Sequence, residues 1–212
     1  RILVKLLIQS PVSKIGGLFL DASVSRLLIP GFVKRHHLCP EQWEKQCFSS
    51  YNDFFTRKLK EGERPIPESE DLFISPCDGK LSVYPISEKG RFQIKHTGYT
   101  LIQLLRNQKL AKRFQNGSIF IFRLTVDDYH RYCYVADGVK SSNYRIPGVL
   151  HTVNPVANDQ EPIYKENTRE YCLLHTTRFG TVLMMEVGAL MVGKIHNYHG
   201  AGKVKRGQEK GR

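Results

Sequence analysis

The stretch VDDYHRYCY, residues 126–134, sets two acids, a histidine, an arginine and a cysteine among hydrophobic neighbours. Histidine titrates near neutral pH, so His130 is suited to serve as a general acid or base. If the stretch is a strand, Asp128, His130 and Tyr132 share one face, with Tyr129 and Arg131 on the other. Val126, Tyr129, Tyr132 and Tyr134 do not make one apolar face, so core filling alone does not account for these residues. The competing role for His130 is structural, satisfied by a neighbour. Cys133 is a conceivable nucleophile near His130, but residues i and i+3 of a strand point to opposite faces.

Two other stretches carry candidate chemistry. In SPCDG, Pro76 followed by Asp78-Gly79 is a turn signature, and Asp78 is also an acid of the kind that orients a histidine in hydrolase triads. MEVGALMVGKIHNYHG places three glycines among apolar residues, which fits bulges or close approach of backbone or ligand. His196 and His199 in that stretch have a spacing that suits a metal on a helix. The surroundings read as strand and loop and supply no third ligand, so no metal site is expected. The chain has no G-x-S-x-G elbow, Walker sequence or dinucleotide fingerprint.

These residues need elements to hold them. Residues 2–33 repeat apolar positions at three- and four-residue spacing (Leu3, Leu6, Leu7; Ile15, Leu18, Phe19; Val24, Leu27, Leu28). Pro11, the Gly16-Gly17 pair and Pro30 interrupt the run, and no segment reaches the roughly 20 apolar residues a membrane span needs. Short amphipathic helices are expected, lying either in a bilayer interface or against the body of the protein. EQWEKQCFSSYNDFFTRKL reads as a continuation of helix, and KEGERPIPESEDL as a polar linker. Beyond it come short β-like runs punctuated by Gly, Pro, Asn and Asp, with one helix expected in TLIQLLRNQKLAKRF. Helices first and strands after predict an α+β fold with a mainly antiparallel β-sandwich or barrel-like body.

Composition sets the class of partner. The 212 residues are 41% hydrophobic and 25% charged, ordinary for a globular protein. Thirty-two Lys and Arg against twenty Asp and Glu give +12, which favours anionic lipid surfaces, phosphorylated substrates or nucleic acid. No nucleic-acid-binding motif accompanies the charge, and nucleic acid is not expected as a partner. The five cysteines form no C-x-x-C pair, which fits reduced thiols in a cytosolic compartment. Arg1 is not a start methionine, so a removed targeting segment is left open.

Taken in order, YNDFFTRKLKEGERPI, ISPCDGK, FRLTVDDYHRY, IPGVLHTVNP, KENTREYCLL, VLMMEVGALMVGKI and VKRGQEKGR resemble the phosphatidylserine decarboxylase proenzyme family. The resemblance covers roughly residues 48–212. It implies a helical membrane-associating region over 1–47 and a catalytic domain, the β chain, over 48–212. Members cut themselves at a glycine-serine bond, and the serine becomes a pyruvoyl group on a small α chain. That carbonyl supplies the electron sink that loss of carbon dioxide from an amino acid requires. By resemblance Asp78 matches the acid of the self-cleavage triad, and His130 the histidine assigned to substrate binding and proton handling. Tyr129, Arg131 and Thr152 are the expected substrate-binding residues. The triad's histidine position is Cys133 here. Either His130 covers both tasks, or His151 approaches in space, or self-processing is impaired; His130 acting alone is the favoured reading. The pyruvoyl-forming serine is expected beyond Arg212. The implied partners are that α chain and phosphatidylserine in an anionic membrane, and the implied location is peripheral, on the cytoplasmic side. A homodimer is left open, as is the rival reading of a non-catalytic lipid-binding relative or a stalled proenzyme.

Overall fold

The computed structural model describes residues 10–94, 97–148, 166–189 and 195–212. His151 and Thr152 lie outside the described residues. The fold is α+β. Helices α1 (Ser10–Asp21), α2 (Ile29–His36) and α3 (Tyr51–Phe55) come first, with 3₁₀ turns at Ser23–Leu28 and Pro40–Gln42. Strands β1 (Lys80–Pro85), β2 (Arg91–Ile94) and β3 (Thr97–Thr100) follow. After helices α4 (Leu101–Leu105) and α5 (Gln108–Arg113) come β4 (Ser118–Arg123), β5 (Tyr132–Cys133), β6 (Gly138–Lys140) and β7 (Tyr144–Ile146). Then come β8 (Arg169–Thr176), β9 (Thr181–Val187), β10 (Gly202–Val204) and β11 (Glu209–Gly211). All strand pairs among the described residues are antiparallel, and these strands close no barrel.

The helical layer is sewn to the body by one hydroxyl and a group of rings. Ser25 is buried; its Oγ lies 2.9 Å and 2.7 Å from the Leu20 and Ala22 carbonyls and accepts the Tyr51 N–H at 2.8 Å. Phe32, Trp43, Phe48, Tyr51 and Phe54 meet edge to face with centroids 5.4–5.8 Å apart. Edge-to-face pairs add about 0.5–1.5 kcal/mol each beyond area burial. Leu18, Phe19, Val24, Leu27 and Leu28 remain exposed on the same layer.

Two expected helices are interrupted, each for a local reason. EQWEKQCFSSYNDFFTRKL is helical only over α3. Residues 42–44 ahead of α3 and 58–60 after it hydrogen-bond as a short antiparallel bridge (Glu44 N–H to Lys58 O at 3.0 Å, Lys60 N–H to Gln42 O at 2.8 Å), which buries Trp43. Ser50 then caps α3 by accepting the Asp53 N–H at 3.2 Å. TLIQLLRNQKLAKRF splits into α4 and α5. Arg106 takes a left-handed conformation at φ 48° and Asn107 caps α5 by accepting the Leu110 N–H. Thr100 and Gln103 form a capping box on α4.

β8 is the centre of the main sheet. β9 covers one edge over its whole length, and β6 and β7 share the other. From Lys140 to Tyr144 is four steps, opposite three from Leu174 to Tyr171, so one extra residue bulges between them. Ser141 fills the bulge: its N–H donates to Leu173 O at 2.8 Å and its Oγ accepts the Leu173 N–H at 2.9 Å. Leu174, Cys172, Met184, Tyr134, Val135, Ala136 and Val204 pack as one core, and a second core lies between Tyr171, Ile146, Tyr99, Phe92 and the leucines of α4 and α5.

The site rests on a smaller sheet of four segments. Ile74 and Pro76 hydrogen-bond to residues 133–135 (Cys133 N–H to Pro76 O at 2.8 Å). Residues 132–134 pair on their other side with β11 and Gln208, and β11 pairs in turn with residues 196–198. SPCDG, the His130 stretch and the last strand are thereby brought together.

Candidate active site

Residues 126–131 form no strand. Val126 and Asp127 lie in a turn, and only Tyr132 and Cys133 enter the sheet. Thr125 holds the turn: its N–H donates to Asp128 Oδ2, and its hydroxyl lies 2.7 Å from Asp127 Oδ1 and 2.9 Å from Asp128 Oδ2. This frees the Asp128 carbonyl to point back at the imidazole. His130 Nδ1 is 3.0 Å from that oxygen. A carbonyl only accepts, so Nδ1 carries the proton and Nε2 keeps its lone pair. The ring lies against Phe55 with centroids 4.1 Å apart. Burial lowers the His130 pKa, opposed by the Asp128 carbonyl and carboxylate and assisted by Arg57. At neutral pH His130 is therefore a neutral imidazole with Nε2 available as a proton acceptor.

Asp78 sits in the turn over residues 76–79. Gly79 has φ +119° and a Cβ there would lie 2.8 Å from the Arg123 carbonyl, so the turn needs glycine. The Asp78 carboxylate receives two parallel bonds from Arg64, Nε to Oδ1 at 2.8 Å and Nη2 to Oδ2 at 2.6 Å. The fork fixes both oxygens in a plane. Among the described residues no hydrogen bond joins Asp78 to His130.

Cys133 is half-buried beside Asp78's turn. Its thiol points at the Ser75 carbonyl at 3.7 Å, and burial pushes its pKa up to about 11. Burial and the neighbouring Asp78 push Cys77 up to about 12. With a pKa near 11, only ~10⁻⁴ of Cys133 is thiolate at pH 7. Such a thiol is a hydrogen-bond donor, not a base. Of the residues brought together here, His130 is the group suited to carry protons.

Arg131 and Tyr129 take different places. Arg131 is buried, and each of its three nitrogens donates within the chain. Nε reaches Thr56 O at 3.0 Å and Arg57 O at 3.1 Å, Nη2 reaches Thr56 O at 2.7 Å, and Nη1 bonds Tyr198 Oη and Glu209. In this arrangement it ties α3 to β11 directly beneath His130. Tyr129 lines a cavity of ≈ 220 Å³ shared with Trp43, Arg57, Arg64, Asp78 and Asp128. Burial raises its phenol pKa, and its hydroxyl faces the Leu59 amide.

Arg57, Arg64 and Phe55 are the site residues that reading for chemistry passed over. All three lie in YNDFFTRKLKEGERPI. The signal was an arginine directly after the FFT aromatics and another before Pro65, in a stretch otherwise read as helix and linker. His196 is exposed, whereas His199 is engaged by Tyr134 Oη at 3.3 Å and Gln208 Nε2 at 3.1 Å.

The last strand bears on the site by register. β11 runs antiparallel to β5 with Glu209 opposite Cys133 and Gly211 opposite Tyr132, so it advances toward Arg131 and His130. Arg212 Nη1 already reaches Thr56 Oγ1 at 3.2 Å. Gly211 admits no side chain, since a Cβ would lie 2.3 Å from His196 O.

Comparison with known proteins gives the family of the chain. Phosphatidylserine decarboxylase is the family whose pattern matches, over residues 51–212. Phosphatidylserine decarboxylase proenzyme 2 of Clostridium acetobutylicum is 43% identical over 212 residues, covering 100% of this chain and 72% of the relative. The proenzyme of Chlamydia caviae is 39% identical (97% of this chain, 71% of the relative). That of Clostridium botulinum is 37% identical (94% and 69%). With a matched core that contains Asp78, His130 and the strand advancing on them, this chain belongs to the phosphatidylserine decarboxylase family.

Proposed function

We propose that this chain is the larger part of a self-processed enzyme that decarboxylates phosphatidylserine to phosphatidylethanolamine. The observation that carries the reading is the neutral His130, with Nδ1–H fixed on a backbone carbonyl and Nε2 unpaired among the described residues, inside a chain of this family. When the carboxylate leaves as carbon dioxide, its bonding electron pair stays on the α-carbon and one proton must be delivered there. His130 is the carrier: Nε2 takes a proton from the substrate ammonium as the amine becomes reactive, and returns one to the α-carbon. Phe55 holds the ring plane and the Asp128 carbonyl holds the tautomer. Arg64 holds the Asp78 carboxylate oriented at the turn through its two parallel bonds.

The electron sink we assign is a pyruvoyl carbonyl carried by the partner chain of the processed protein, which accepts the electron pair when bound. The residues present fit it. β11 advances toward His130, and Cys133 stays a thiol that offers no competing nucleophile. The rival reading of a non-catalytic relative draws on Cys133 in place of the triad histidine, and the Nε2 of His130, unpaired among the described residues, weighs against it.

We place the protein peripherally on an anionic, cytoplasm-facing leaflet. Leu18, Phe19, Val24, Leu27 and Leu28 form an exposed apolar face, with Arg26, Lys34 and Arg35 in the same layer. No helix among the described residues is long and apolar enough to cross a membrane. Insertion of that face and attraction to anionic headgroups would act together.

The function is tested with carboxyl-labelled phosphatidylserine in vesicles and the protein from the complete gene. Release of labelled carbon dioxide with equimolar phosphatidylethanolamine is expected; binding without release would overturn the reading. Leu18→Glu with Leu27→Glu should abolish sedimentation with phosphatidylserine vesicles while leaving the melting temperature unchanged. Unaltered sedimentation would remove the membrane assignment.

A further inference from the structure

Among the described residues, Arg57 is the cation of the candidate site with two of its three nitrogens unpaired. Its side chain is 5% exposed, stacked with its guanidinium carbon 5.0 Å from the Phe54 ring centre and 5.6 Å from that of Trp43. Nη2 makes a long contact of 3.5 Å with Asp127 O. Nε and Nη1 have no hydrogen-bond partner among the described residues. A buried guanidinium with unpaired N–H groups is expensive to maintain, and buried charges are ordinarily paired.

Arg57 lines the ≈ 220 Å³ cavity. At about 30 Å³ per water, that is room for roughly seven waters, or for a small polar headgroup. The other charges on its wall are engaged. Arg64 grips Asp78 through Nε and Nη2, and its Nη1 donates to Glu63 O at 2.9 Å. Asp127 and Asp128 accept from Thr125. The local demand is for an acceptor of two or three hydrogen bonds that carries negative charge, opposite Arg57.

Resting on the decarboxylase reading, we propose that Arg57 is the anion subsite for the substrate's headgroup phosphodiester. Planar guanidinium donors match phosphate oxygens. The substrate carboxylate is the poorer occupant on chemical grounds. An ion pair to it would stabilise the ground state and be lost as carbon dioxide departs, whereas the phosphodiester keeps its charge throughout. Arg57 is also close enough to His130 to depress its proton affinity. Neutralising Arg57 with a bound anion would therefore raise the proton affinity of His130, favouring its uptake of a proton from the substrate ammonium.

The processed enzyme is titrated calorimetrically with sn-glycero-3-phosphoserine, with sn-glycerol 3-phosphate, inorganic phosphate and serine as separate probes. Both glycerophosphates should bind and serine should not compete. Arg57→Met, which keeps the stem over Trp43 and Phe54, should weaken both roughly 10- to 150-fold, the range for hydrogen bonds to a charged group. Arg57→Lys should fall between. With a short-chain phosphatidylserine, KM should rise by the same factor while kcat stays. Unchanged affinity in Arg57→Met, or serine competing as well as glycerophosphate, overturns the proposal. Tighter binding of inorganic phosphate than of glycerophosphoserine would make this a free-phosphate site and overturn the headgroup assignment. If Arg57→Met does not melt cooperatively, the wild-type protein decides: glycerophosphoserine must raise the His130 pKa followed by NMR, and no shift refutes the subsite. A wild type that binds glycerophosphates through Arg57 yet releases no carbon dioxide would instead sink the decarboxylase reading.

Discussion

Lys210 lies in the strand that advances on His130, and its removal should loosen that strand. Its side chain is fully buried; Nζ lies 2.8 Å from Glu186 Oε1, donates to Asn197 Oδ1 at 2.5 Å and sits 5.3 Å from the Tyr132 ring centre. Glu186 is only 13% exposed and stands directly across the β8–β9 register from Glu170. Asn197 Nδ2 bridges the two carboxylates at 2.6 Å and 3.2 Å. Lys210→Met therefore leaves two facing carboxylates with a single amide between them. Removing one partner of a buried ion pair costs about 3–5 kcal/mol. For a domain of this size each kcal/mol lowers the melting temperature by roughly 2–4 °C, which gives a drop of about 6–20 °C. Adding Glu186→Gln should recover most of the loss, because the uncompensated charge is then gone. Urea unfolding of the two variants measures both steps. A Lys210→Met variant within about 1 kcal/mol of wild type would refute the reasoning, since a buried pair cannot be broken so cheaply. So would a double variant no more stable than the single one.

The remaining predictions concern the site itself. His130 has a pKa below the ordinary value, so the acid limb of kcat/KM should lie below about pH 6.5, the unperturbed histidine value. Folding stability linked to His130 is present above the unfolded pKa and lost as pH falls through the folded one; His130→Asn should flatten that slope in pH-dependent urea titrations. Cys133 and Cys77, held near 11 and 12, should alkylate with iodoacetamide at pH 7.5 far more slowly than exposed Cys39 and Cys47, as peptide mapping would show. Equal rates would remove the argument that the thiol is no base. Gly79→Ala should cost about 1–3 kcal/mol by forcing positive φ on alanine against the Arg123 carbonyl, and should lower self-processing through Asp78. A variant as stable and as well processed as wild type would contradict the role assigned to the turn.

The succession of helices and then antiparallel strands was legible in the sequence because apolar periodicity and glycine or proline punctuation are local signals. So was the SPCDG turn, whose Asp-Gly pair dictates its own geometry. His130 could be picked out, but its strand could not be trusted. Thr125 captures Asp127 and Asp128 into a turn, a hydrogen-bonding choice that alternation does not reveal. The break at Arg106 and Asn107 was hidden for a similar reason: Leu101, Leu104, Leu105 and Leu110 fit one helix until Asn107 caps the second. Arg64 on Asp78, Arg131 on Glu209 and Lys210 on Glu186 join residues 14, 78 and 24 positions apart, and no spacing rule finds such pairs. Arg57 is harder still, since what marks it is a pair of buried nitrogens, Nε and Nη1, with no partner among the described residues.

Proton delivery by His130 carries the reaction proposed for this site. The direct measurement is turnover of phosphatidylserine in deuterated buffer by the processed enzyme and by His130→Asn. Wild type should place one solvent deuteron on the carbon that lost carbon dioxide. His130→Asn should form phosphatidylethanolamine about 10²–10⁴-fold more slowly, the range for loss of a general acid–base group, while its affinity for glycerophosphoserine stays. Turnover within tenfold of wild type in His130→Asn would contradict the account, and the proton would have to come from another group.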